Sequence, residues 1–204
     1  DSITVRVPYA FGVACQQTSS AQTVSLLPTD LATYSADTAS GYAWRNSTGT
    51  FQFIEPATVS SGTCSVLAPP ITTLSATGWT ARSVAVATPS VDTTPAGAVV
   101  YLYQTIRYSF AESEQIPGRR ALWRKVVSTG TRDELVAPFD SSAKFQFLVD
   151  SANALVIGPP AVLGAVRGVR VKLVGASETA PEGRSQPVIF DLTTDIFLRN
   201  NARQ

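Results

Sequence analysis

Histidine is absent from all 204 residues. That absence removes Ser-His-Asp and Cys-His catalysis, most zinc sites, and the side chain that most often serves as a general base near neutral pH. Methionine is absent too and the chain starts at Asp1, which points to a mature, processed or truncated product. There is no secretory leader and no apolar run long enough to span a bilayer, so no direct membrane insertion is expected of this chain. Charge is scarce: 15% of residues are Asp, Glu, Lys or Arg, against about 25% in an average soluble protein. The 16 basic residues nearly cancel the 15 acidic ones, which leaves no electrostatic case for nucleic acid as the default partner. The phosphate-cradling motifs GxxxxGK[ST] and GxGxxG do not occur.

Ser, Thr, Ala, Gln and Asn must therefore cover most of the surface, which suits an extracellular or subunit-packed protein better than a cytosolic enzyme. The length fits one domain spanning 1–204, since chains of this size bury roughly 70% of their unfolded surface. Residues 1–98 read as a loop-rich lobe and 99–204 as an antiparallel sheet lobe. Cys15 and Cys64 stand alone; an even pair in an exported chain reads as a disulfide. Closing a loop of about 50 residues would stabilise the fold by about 4 kcal/mol on a chain-entropy basis.

Strand patterns dominate. Ser2–Val7 alternates and is expected to stop at Pro8, with a second apolar stretch from Phe11 to Cys15. Between Gln16 and Ala98 only short β-prone islands stand out, at Val24–Leu27, Phe51–Ile54, Ser65–Leu67 and Ser83–Ala87. Val99–Phe110 reads as a long strand, Ala111–Arg119 as a turn around Pro117-Gly118, and Arg120–Ser128 as the returning strand. Thr131-Arg-Asp-Glu134 has the form of a helix capping box, although Pro138 follows too soon for a full helix. Lys144–Val149 is a further strand. In Ala165–Val174, Val169, Val171 and Leu173 alternate with Arg170 and Lys172. In Pro187–Asn200, Phe190, Leu192, Ile196 and Leu198 share a face opposite Asp191, Asp195 and Arg199. Such alternation predicts one buried and one wet face in each. The fold class is mainly β, an antiparallel sheet or sandwich with long Ser/Thr/Pro-rich loops.

Few residues carry candidate chemistry. Asp191 and Asp195 form the best carboxylate pair, but four strand residues set them about 13 Å apart, beyond the roughly 5–9.5 Å of glycosidase pairs. Asp140 and Asp150 lack an EF-hand ligand spacing and read as loop ends. Arg119, Arg120, Arg124 and Lys125 surround Trp123 like a stacking patch, yet on a strand Arg124 and Lys125 point to opposite faces. Asn46-Ser-Thr48 fits the N-x-[ST] sequon, which makes Asn46 a possible glycosylation site. No catalytic residue, metal site or cofactor is expected, and the chain does not read as an enzyme.

The order of segments in the second half resembles that of type IV pilin-like proteins, specifically minor pilins of the W type and type II secretion pseudopilins of the J type. The resemblance rests on Tyr101–Phe110 leading to Ala121-Leu-Trp-Arg-Lys125, then Glu134-Leu-Val-Ala-Pro-Phe139, Phe145-Gln-Phe147, Val169–Leu173 and Thr193-Thr-Asp-Ile-Phe-Leu-Arg-Asn200. The opening Asp1–Arg6 with Phe11-Gly-Val-Ala-Cys15 also resembles the first strand after the long helix of such proteins. It implies a structural subunit of a pilus-like or pseudopilus filament at the cell surface or in the periplasm. The partners it implies are other pilin-like subunits, and the fold becomes α+β if the helix is counted.

One departure is large: the leader ending in Gly, the Glu at the fifth mature position and the apolar spine helix are not in this sequence. The chain is then a head cut from its helix, a half of a split pilin whose spine comes from a separate helical chain, or a protein that shares only β patterning with the family. Two other classes fit the composition. One is a jelly-roll or sandwich shell protein such as a viral capsid subunit; the other is a secreted adhesion module using Tyr34, Tyr42, Trp44 and Trp79.

Overall fold

The computed structural model describes residues 2–17, 21–26, 39–55, 59–62, 83–87, 94–150 and 152–198. It is mainly β, with antiparallel ladders throughout. The strands are β1 (Ser2–Gln17), β2 (Ala21–Leu26), β3 (Gly41–Arg45), β4 (Phe51–Ile54), β5 (Val59–Gly62), β6 (Ser83–Ala87) and β7 (Val99–Glu112). They continue as β8 (Arg120–Val126), β9 (Arg132–Phe139), β10 (Lys144–Val149), β11 (Ala154–Val156), β12 (Val166–Ala176) and β13 (Ile189–Phe197). Leu163–Ala165 forms a single 3₁₀ turn. Among the described residues no helix is long and apolar enough to cross a membrane.

Two compact units divide the chain. One holds residues 5–106 and 126–131, the other 1–4, 107–125 and 132–204, so β7 contributes to both.

In the first unit, β2 pairs with β1 on one side and β6 on the other, and β6 pairs with β5. β3 lies between β4 and the start of β7. Its core gathers Ala10, Ala14, Val24, Leu26, Tyr42, Trp44, Val100 and Leu102. β1 runs through Pro8 instead of stopping there. Among the described residues β2 joins β1 only from Gly12 to Gln17, so on the β2 side no ladder hydrogen bond is asked of Pro8, while β7 borders β1 on the other side; a strand tolerates proline where its missing N–H faces away from a ladder. Gly12 is required by close approach, since a Cβ there would lie 2.6 Å from the Ser25 carbonyl oxygen. β2, β4 and β6 fall on expected islands, whereas Ser65–Leu67 lies outside the described residues.

The second unit is built on β10, β12 and β13 with the β8–β9 hairpin. β12 sits between β10 and β13, and β9 touches it through Gly175↔Phe139. Phe110, Phe139, Ala143, Phe145 and Val174 form its core. The Phe110 ring meets Phe139 edge-on at 5.4 Å and lies 5.0 Å from Phe145, spacings at which aromatic rings attract beyond their area burial. The turn after β7 forms around Gly118 at φ +76, a conformation that favours glycine, and Ser113 N donates to the Arg119 carbonyl at 2.8 Å.

Thr131–Glu134 does not cap a helix: β9 is a strand that pairs with β8. Glu134 instead reaches the neighbouring turn. Its carboxylate accepts from Ser113 Oγ at 2.6 Å and from Glu114 N at 2.8 Å. These bonds, the Ser113 one first, lower the Glu134 pKa.

Candidate functional site

All nine residues of β13 are exposed, which sets it apart from the other strands whose side chains are described. The expected alternation is present. The register places Leu173↔Leu192 and Val169↔Ile196 on one face, with Gly175↔Phe190 beside them. On the other face Arg170 donates Nε and Nη2 to the two Asp195 oxygens at 2.7 and 2.8 Å, and Lys172 Nζ lies 3.1 Å from Asp191. The Arg170 hydrogen bond is the first cause of a lowered Asp195 pKa and of a raised Arg170 pKa. Asp191 and Asp195 are thus each paired with a cation on β12.

The apolar face, expected to be buried, is not. Phe190, Leu192 and Ile196 are 65%, 59% and 54% exposed, and Leu198 next to the strand is exposed as well. Val169, Val171 and Leu173 of β12 are half-buried beside them. Register decides which side chains share a face; on β12 Val169, Val171 and Leu173 pack against the Phe110, Phe139 and Phe145 core, while among the described residues Phe190, Leu192 and Ile196 of β13 lie beyond its cover. The Phe190 ring leans over Gly175, where a Cβ would lie 2.2 Å from ring carbons. An aromatic ring laid over a strand glycine shields an otherwise open backbone. Ile157, Val162 and Leu163 are exposed apolar residues of the same unit, downstream of β11.

The remaining candidates have structural occupations. Trp123 is buried, and its Nε1 donates to the Glu112 carbonyl at 3.1 Å. The Arg132 guanidinium lies 3.9 Å over the Trp123 ring and pairs with Glu114. Arg120 donates to the Phe110 and Ser141 carbonyls at 2.7 and 2.9 Å, Arg119 to the Ser177 carbonyl at 3.5 Å, and Arg124 pairs with Asp133 at 3.4 Å. Lys125 is exposed. The dense basic run therefore spreads over three separate sets of partners.

Asp140 and Asp150 stand at opposite ends of β10. Asp140 Oδ1 accepts from Ser142 N and Oγ at 2.9 and 2.8 Å, the first cause of its lowered pKa. Asp150 takes a turn conformation at φ 60. Among the described residues no three His, Cys, Asp or Glu side chains gather as a metal site. Asn46 heads the β3–β4 turn, where its Oδ1 accepts from Thr48 N, Thr48 Oγ1 and Thr50 N at 3.1, 2.7 and 2.9 Å. Cys15 is buried on β1 with its Sγ 3.4 Å from the Thr23 carbonyl oxygen; Cys64 lies outside the described residues. Tyr42 and Trp44 are buried core residues, which withdraws them as surface contacts. Their hydroxyl and indole N–H have no hydrogen-bond partner among the described residues. Tyr34 and Trp79 lie outside those residues.

One cluster has no counterpart in the sequence reading. Arg6 lies 4.7 Å over Phe53 and 5.6 Å over Tyr103, and pairs with Glu55 at 3.0 Å. Burial is the first cause of the raised Tyr103 pKa. Alternation in β1 marks Arg6 as outward-facing, but its partners come from chain some fifty and a hundred residues away. Compared with family models, curated proteins and solved structures, the chain matches none.

Proposed function

We propose that this chain is a structural subunit, the globular head of an extracellular pilus-like or pseudopilus filament, working through subunit packing and surface display. The observation that carries the reading is the open apolar face of β13, where Phe190, Leu192 and Ile196 stand exposed beside Val169, Val171 and Leu173 of β12, which pack on the core. Contiguous apolar faces of this kind mark sites of protein interaction. The resemblance of Tyr101–Asn200 to the ordered segments of pilin-like proteins supplies the assembly: the face packs on a helical spine chain or on neighbouring pilin-like subunits. A Cys15–Cys64 disulfide and a place at the cell surface or in the periplasm belong to the same reading.

The test is reconstitution. The chain is co-expressed with a pilin-type apolar helix, joined or separate, and the product is imaged by electron microscopy. Regular fibres lost on Leu192→Asp, with the far-UV circular dichroism unchanged, are the expected result. Closed particles would instead favour a shell protein, and a head that neither binds the helix nor enters fibres would sink the filament reading. Non-reducing mass spectrometry of native material is expected to find Cys15 joined to Cys64.

A further inference from the structure

The backbone of β13 carries information separate from its apolar face. At the two ends of its ladder, Ser177 N donates to the Val188 carbonyl at 2.9 Å and Leu198 N to the Arg167 carbonyl at 2.8 Å. The register between them is unbroken, from Ala176↔Ile189 to Gly168↔Phe197. In an antiparallel ladder the hydrogen-bonding direction alternates residue by residue. Even-numbered residues therefore bond to β12, and the N–H and C=O groups of Ile189, Asp191, Thr193, Asp195 and Phe197 point away from it. Among the described residues β13 pairs with β12 alone. It also contains no Lys, no Pro and no bulge; of the devices that ordinarily keep an exposed edge from pairing it carries only the charges of Asp191 and Asp195, each paired with a cation of β12.

We infer that this edge pairs antiparallel with β13 of a second copy of the chain, about a twofold axis at Thr194. The argument is self-complementarity. With Thr194 opposite Thr194 of the second copy, Phe190 falls opposite Leu198 and Leu192 opposite Ile196, so the apolar face is matched along its length. On the other face Thr193 falls opposite Asp195, and Asp191 opposite Phe197. Those odd-numbered residues are the ones whose peptide groups point outward, so they form the hydrogen-bonded pairs.

Charge selects this register over its neighbours. Centring the axis on Thr193 sets Asp191 against Asp195, and centring it on Asp195 sets that carboxylate against its own copy; like charges directly opposite are destabilising. Centring on Leu192 leaves Phe190 against Thr194. In the Thr194 register each Asp keeps its own cation, Arg170 for Asp195 and Lys172 for Asp191, and has no like charge directly opposite it, the carboxylates of the two copies standing only diagonally. Such a contact is isologous and closes as a pair. It is thus distinct from head-to-tail filament packing and stands or falls on its own.

Symmetric cross-linking tests the register. In a non-hydrogen-bonded pair the Cα atoms lie ~4.5 Å apart, within the ~4.4–6.8 Å range of disulfides. Thr194→Cys is therefore expected to give a covalent dimer on mild oxidation. Phe190→Cys is expected to give none, because its symmetry mate is about eight residues, or ~27 Å, along the ladder. By analytical ultracentrifugation the wild-type chain is expected to dimerise, and Thr194→Lys and Thr194→Asp each to weaken self-association about fivefold. Mixing those two variants is expected to restore it. Thr193→Pro removes one outward N–H without touching the β12 ladder, and with unchanged circular dichroism should weaken the dimer as well. A wild-type chain that stays monomeric up to ~1 mM, or equal cross-linking at positions 190 and 194, would overturn the inference. Fibre formation is scored separately and bears only on the filament reading.

Discussion

Arg120 is the position at which structural and ligand-binding roles separate most sharply. Its guanidinium spans the end of β7 and the β9–β10 turn, donating to the Phe110 carbonyl at 2.7 Å, to Ser141 at 2.9 Å and to Ala143 at 3.4 Å. The same group lies 5.9 Å from the Phe110 ring centroid. Hydrogen bonds to a charged donor contribute about 1.5–3 kcal/mol each, and Arg120 is only partly buried, so the two short bonds together are set at about 3 kcal/mol. Arg120→Ala is then expected to lower the melting temperature by about 6–12 °C, taking about 2–4 °C per kcal/mol for a chain of this size. Arg120→Lys keeps the charge but not the fork, and is expected to recover about half of the loss.

Urea unfolding followed by circular dichroism and tryptophan fluorescence measures both, with an unchanged slope showing that the variants unfold from the same folded state. If Arg120→Ala were within ~0.5 kcal/mol of wild type, the carbonyl-bracing account would be refuted. An Arg120 that served phosphate recognition would show the opposite pattern: intact stability, and loss of a salt-dependent affinity.

Glu134 gives a pH signature. Its pKa lies below the ordinary 4.5 because the folded state donates hydrogen bonds to the carboxylate, Ser113 Oγ foremost. A depressed folded pKa contributes stability that is present above the unfolded value and is lost as pH falls through the folded one. Glu134→Gln should therefore be less stable than wild type at pH 7, with the gap closing progressively below pH 4.5 in thermal melts across pH; a gap constant over that range would remove the carboxylate from the account. Gly12→Ala drives a Cβ to 2.6 Å from the Ser25 carbonyl oxygen and 2.5 Å from Val24 Cγ1, so the β1–β2 ladder must shift. An overpacking loss of about 1–3 kcal/mol is expected from denaturant unfolding, and a neutral result would mean that β2 can move freely.

How much of this was legible depended on whether the deciding partner was local. The β7–β8 hairpin was readable because Pro117-Gly118 is a turn signal inside its own few residues. The facing of β12 and β13 was readable because alternation is a property of one strand at a time. β3 was missed because four of its five residues are buried, which erases the alternation. Thr131–Glu134 misled for a related reason: the motif looks along its own chain, while the Glu134 carboxylate bonds to a turn about twenty residues upstream. The basic run around Trp123 was dense in sequence and divided in space, since each guanidinium found a different carbonyl or carboxylate.

β13 shows the limit most clearly, because its sequence specifies which residues share a face and is silent on what covers them. Leu192 and Ile196 would carry the same alternation under a packed layer as they do in the open. Exposure turns that pattern from a statement about a core into one about assembly. An edge strand left unpaired is ordinarily blunted by charged side chains, a proline or a bulge. Here the only charges, Asp191 and Asp195, are neutralised by Lys172 and Arg170 of the adjacent strand, and so do not repel an incoming strand. Matched apolar faces, paired charges and alternate peptide groups pointing outward are the features on which the inferred pairing rests. For that reason the decisive substitutions are those at Thr194 and Thr193, which alter the edge while leaving the Leu192 face intact.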